Sequence, residues 1–87
     1  MTAKTKLLDP IHPGEILLEE FLRPLGVSQN RLARELEVNV ARISEVVHGR
    51  TSISAVMALK LARFFGNSAE FWLNLQSGYD LRLARRQ

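Results

Sequence analysis

Residues 28–49 read SQNRLARELEVNVARISEVVHG, and the fold turns on how this stretch divides. Leu32, Ala33 and Leu36 share one side of a helical repeat, with Gln29, Arg31, Arg34 and Glu35 on the other. Ser28 supplies an N-cap, because its hydroxyl accepts an amide proton that the first turn of a helix leaves unpaired. Around Glu37 and Val38 the pattern breaks. Asn39 then caps a second helix with Ile43, Val46 and Val47 on its inner face, and Gly49 ends it. Ala33 is small where the two helices cross steeply, so their backbones approach closely and the second helix stands clear of the body. Two short helices joined this way form a helix-turn-helix, in which the projecting helix fits the major groove of DNA.

Outward from this stretch, composition sets the bounds. At 87 residues the chain is one small domain with a modest core, a size at which dimerisation or a partner adds needed stability. The absence of Cys excludes disulfides and thiolate metal sites and suits a reducing cytosol. No stretch is long and apolar enough to span a membrane, and MTAKTKLLDPIHPG lacks the apolar centre of a signal peptide, so a cytoplasmic location is expected. The net charge of +3 is uneven. Between Ser28 and Arg63, six basic residues (Arg31, Arg34, Arg42, Arg50, Lys60, Arg63) face three acidic ones (Glu35, Glu37, Glu45). That excess weakly favours a polyanion, since a modest imbalance is more often solvated surface.

Residues 1–11 are polar and read as a flexible arm, more a frayed terminus than a DNA-gripping segment. His12-Pro13-Gly14-Glu15 opens a helix, with Pro13 suited to the first helical position and Glu15 to the positive end of the dipole. Ile16, Leu17, Leu18, Phe21 and Leu22 give it an apolar face, and Pro24 and Gly26 are expected to stop it at about Leu22. Glu19 and Glu20 form a solvated pair with no converging polar group. After the turn Arg50–Ser54, Ser54 caps a fourth helix carrying Val56, Met57, Leu59, Leu61, Ala62 and Phe65, and Gly66 ends it. Ser68 caps a fifth, with Glu70 in its first turn and Phe71, Trp72, Leu75 and Tyr79 spaced as an apolar stripe. Lacking any confident strand, repeat or linker, the chain is expected to be all-α, five helices over 12–84 with a basic tail at 85–87.

The order Ser28-Gln29-x-x-Leu32-Ala33, a short turn, Ile43-Ser44 and a closing Gly49 resembles the Cro and phage-repressor class, and so implies a lambda-repressor-like fold. Glu37 departs from it, since many members place Gly in the turn. Either a left-handed non-glycine residue is held there at roughly 1 kcal/mol, or the turn differs. With HPGEILLEEFLRPLG before the core motif and LARFFGNSAEFWLNLQSGYDL after it, the chain is similar over nearly its whole length to the HigA/VapI group of bacterial antitoxins. That resemblance implies a homodimer that represses its own operon and neutralises a HigB/RelE-like ribonuclease toxin. Composition and spacing support only a compact helical DNA reader, so a stand-alone phage-type repressor or a protein adaptor stays open, with RNA binding ranked lower.

Asn39, Val40, Ala41, Arg42 and Glu45, at the first turns of the second helix, are the base-reading candidates. Arg42 can fork to guanine, Asn39 pair with an adenine edge, Val40 and Ala41 touch a thymine methyl, and Glu45 accept from cytosine or pair with Arg42. By resemblance, Gln29 matches a phosphate-binding glutamine, and Arg50, Thr51 and Ser52 match phosphate-binding loop residues; Arg31 could reach the flanking backbone, Arg34 less readily. Phe71, Trp72, Leu75 and Tyr79 serve as core or, in part, as a dimer seam. His12 and His48 lie in no nucleophile or metal-ligand spacing, so no catalytic group, metal or cofactor is expected.

Overall fold

The computed structural model describes residues 9–87; most of the expected arm, residues 1–8, lies outside the described residues. The first helix, α1, forms in three consecutive segments, Pro13–Ile16, Leu17–Leu22 and Arg23–Leu25. His12 caps it: the Gly14 N–H donates to His12 Nδ1 at 2.9 Å, and Pro13 takes the first helical position. The middle segment is π-helical, and the Arg23 N–H donates to the Leu18 carbonyl five residues back. Here the expected stop at about Leu22 is corrected. The wider turns relieve the Pro24 ring of the carbonyl four residues earlier, so the helix continues through Pro24. It ends at left-handed Gly26, where Val27 N–H donates to the Leu22 carbonyl at 2.9 Å and Gly26 N–H to Arg23 at 3.1 Å.

Helix α2 spans Gln29–Leu36, α3 Val40–Val47, α4 Ala55–Phe65 and α5 Ala69–Arg85. Each starts at the cap expected of it. Ser28 Oγ accepts from Arg31 N–H at 3.0 Å, Asn39 Oδ1 from Ala41 at 2.8 Å, Ser54 Oγ from Met57 at 3.2 Å and Ser68 Oγ from Phe71 at 3.0 Å. The turn between α2 and α3 keeps the left-handed residue: Glu37 has φ 58° and ψ 47°, and Val38 N–H donates to the Ala33 carbonyl at 3.0 Å. Lys60 Nζ from α4 donates to the Leu36 carbonyl at 3.0 Å, pairing one of the acceptors left over at the end of α2.

Helix α2 packs on α3 and α4, α1 on α3 and α5, and α4 on α5. Their shared core holds Leu17, Leu22, Leu32, Ile43, Leu61 and Trp72, all essentially without exposed surface. Trp72 lies beside Phe21 (4.9 Å between ring centroids), Phe71 (5.1 Å) and Phe65 (5.9 Å), and its Nε1 donates to Asn67 Oδ1 at 2.8 Å. An indole so enclosed, with its one donor satisfied, is core, and Trp72 is withdrawn from the dimer seam expected of that stripe. Phe71 stays 37% exposed, and Leu75 and Tyr79 are half-buried.

Candidate nucleic-acid interface

The outward side of α3 is built by what its inward side buries. Ile43 and Val46 are fully enclosed and Val47 nearly so, which fixes the helix rotation and leaves Val40, Ala41, Arg42 and Glu45 exposed. Ala33 is buried at the crossing with α2, as its size suggested. Asn39 is also exposed, but its Oδ1 serves as the helix cap, which leaves the amide nitrogen as the side-chain group available to a partner. An amide committed in this way donates more readily than it forms the two-bond pair with adenine. Arg42 and Glu45 form no ion pair. Among the described residues, side-chain pairs within 4 Å are Glu19–Arg23 at 3.5 Å and Asp9–Arg86 at 3.7 Å. Both are largely exposed and contribute little.

On the phosphate side, Gln29 is half-buried at the first position of α2, whereas Arg31 and Arg34 are exposed. Arg50 and Ser52 are exposed in the loop after α3, with Thr51 half-buried between them. His48 donates Nδ1–H to its own helix at the Ser44 carbonyl, 2.8 Å away. Only a doubly protonated ring there offers a second N–H outward.

The sequence reading missed what holds the loop. Gln76 on α5 is 6% exposed, and its Oε1 accepts from Ile53 N–H at 2.9 Å while its Nε2 donates to Asp80 Oδ1 at 3.0 Å. Leaving the buried Ile53 N–H unpaired would cost roughly 1–3 kcal/mol. From the other side, the His12 ring lies where a β-carbon on Gly49 would meet it at 3.5 Å, and Tyr79 meets it edge-on at 4.9 Å. Partial burial holds the His12 pKa below its ordinary value, opposed by the Asp80 charge and the nearby Thr51 backbone. The neutral ring is the one that can cap Gly14 through Nδ1. A polar residue within the apolar stripe of α5 was the available signal for Gln76, but spacing alone does not say which amide it meets.

A buried crossing that leaves the start of a short helix exposed, with Arg42 and Glu45 outward, flanked by an exposed helix start and a loop carrying Arg50, defines a helix-turn-helix domain of the DNA-binding regulator class. Residues 18–72 match the family described as Helix-turn-helix. The chain is 50% identical over 76 residues to virulence-associated protein I of Dichelobacter nodosus, covering 87% of this chain and 70% of that one. The solved structure of the Pseudomonas aeruginosa antitoxin HigA with the higBA promoter superposes with a TM-score of 0.84 at 49% identity, covering 86% of this chain and 82% of that one. The Coxiella burnetii addiction module antidote protein of the HigA family gives 0.85 at 47% identity, covering 90% and 85%. This chain belongs to the helix-turn-helix family, in its HigA/VapI group.

Proposed function

We propose that this chain is the antitoxin of a type II toxin-antitoxin pair: a homodimeric autorepressor that binds operator DNA and neutralises a HigB/RelE-like ribonuclease. The observation that carries the DNA half is the exposed start of α3, with Val40, Ala41, Arg42 and Glu45 directed away from a fully packed inner face. Support comes from the Pseudomonas relative, a HigA antitoxin solved with the higBA promoter. In this reading Arg42 and its neighbours select bases, with Asn39 donating from its amide, while Gln29, Arg31, Arg50, Thr51 and Ser52 hold phosphates. Each good bidentate pairing discriminates by ~1–3 kcal/mol.

The division of labour is tested by binding to two duplexes, one from immediately upstream of the chain's own reading frame and one scrambled. Arg42→Ala should erase the preference between them. Arg50→Ala should weaken both alike and make the salt dependence shallower, by about 0.9 in log–log slope for each phosphate that is no longer neutralised. Equal losses on both duplexes from both variants would sink the assignment. For the toxin half, the tagged protein is recovered from its native host at moderate salt. A stoichiometric small ribonuclease beside it is expected; repeated recovery with itself alone would leave a stand-alone repressor.

A further inference from the structure

Two motifs that stand out in the sequence, His12-Pro13-Gly14 and the run Glu70–Gln76, lie on helices other than α3, yet both converge on the loop between α3 and α4. We propose that they form one clamp that sets Arg50 and Ser52 against the DNA backbone, making His12 and Gln76 positioning residues for phosphate binding. The inference rests on the DNA-binding reading above.

The clamp begins where α1 meets α3. A β-carbon on Gly14 would coincide with the Val46 carbonyl, so only glycine lets the backbone of α1 lie against the end of the reading helix. That close approach places His12, at the cap of α1, over Gly49. Gln76 holds the far end of the loop through Ile53 N–H. Asp80 joins the two halves, accepting from Gln76 Nε2 while its charge acts on the His12 ring. The fixed points therefore fall at Gly49 and Ile53, with Thr51 half-buried between them. Between them, the exposed residues are Arg50 and Ser52.

This alternation separates presentation from simple stapling of a loop to a core. The two ends of the loop are held from behind and Thr51 is half-buried, while the residues between, a guanidinium and a hydroxyl, are exposed. Phosphate binding needs its donors placed to within about 0.5 Å by supporting groups. A loop fixed during folding also does not have to be ordered at the moment of binding.

His12→Asn keeps a competent N-cap for Gly14 but removes the ring that packs on Gly49. Gln76→Met keeps the length of the side chain but removes the acceptor for Ile53. Operator affinity and its salt dependence are measured for wild type, both variants and Arg50→Ala on the upstream and scrambled duplexes, with thermal midpoints in parallel. The clamp predicts that His12→Asn melts close to wild type yet loses roughly tenfold in affinity on both duplexes, with a salt slope shallower by about the share of one phosphate, as in Arg50→Ala. Amide exchange at residues 50–53 should accelerate in both variants. Gln76→Met supplies the same readout wherever His12→Asn is poorly folded. Wild-type affinity and slope in a folded His12→Asn or Gln76→Met, beside a weakened Arg50→Ala, would overturn the clamp and leave DNA binding intact. No salt-dependent binding by wild type would remove both.

Discussion

Glu37 occupies a backbone conformation that the sequence marked as costly, and it does so inside a turn otherwise bonded as a glycine turn would be. Its φ of 58° brings the β-carbon close to the following carbonyl, at ~1–2 kcal/mol, against the 0.5–1 kcal/mol of chain entropy that glycine itself loses on folding. The net strain is about 1 kcal/mol or less. Lys60 offsets part of it by pairing the Leu36 carbonyl one residue before the turn. Glu37→Gly should therefore raise stability by up to about 1 kcal/mol in urea unfolding, equivalent to ~4–8 °C in thermal midpoint for a domain of this size. Because Glu37 lies outside the proposed interface, DNA affinity should stay unchanged. A stability equal to or below wild type would mean that the carboxylate makes a compensating interaction. At this scale caps were legible, because a Ser or Asn ahead of an apolar repeat has a local reason to be there. Both roles of Asn39, cap and adenine-pairing amide, were legible, but not their conflict, which needs the direction of Oδ1.

At the scale of elements, all five helices were legible from periodicity, capping residues and the glycines at positions 26, 49 and 66, each of which closes a helix with positive φ. What escaped was geometry that depends on partners. Pro24 reads as a stop in isolation, but a π-helical segment ahead of it lets α1 run on to Leu25. Trp72 and Phe71 are neighbours in one apolar stripe, and only the positions of Phe21 and Phe65 decide that Trp72 is enclosed while Phe71 keeps an exposed edge. Gly14 reads as part of a helix start. Its necessity lies in α3, more than thirty residues away in sequence, where the Val46 carbonyl occupies the space a side chain would need. Gln76 is the same case from α5. Such packing between helices distant in the chain holds the candidate site in place, whereas the residues offered outward were readable from α2, α3 and the loop alone.

For the whole molecule, the remaining question is how one short helix reads enough DNA. A single α3 exposes a handful of side chains, so the proposed homodimer would supply operator specificity by setting two reading helices ~34 Å apart, one turn of the duplex. With Trp72 assigned to the core, the seam proposed on α5 narrows to Phe71, Leu75 and Tyr79, which follow one another at four-residue spacing along one face. Phe71 presents the most exposed surface of the three, and Tyr79 is partly covered by His12. A two-fold axis passing near this stripe would pair like residues across the seam. Introducing a charge there puts two carboxylates against each other in an apolar setting, so Leu75→Glu should shift the protein to monomer in sedimentation equilibrium and abolish cooperative binding to the upstream duplex. Phe71→Glu, altering a more exposed position, should do the same with less effect on the fold. If both variants remain folded dimers, the seam lies elsewhere, and the exposed Val56 and Leu59 of α4 are the next apolar pair to test. If they become monomers that still bind each half-site weakly and in a salt-dependent manner, the reading surface and the seam are separate parts of the chain, and specificity arises from joining two readers.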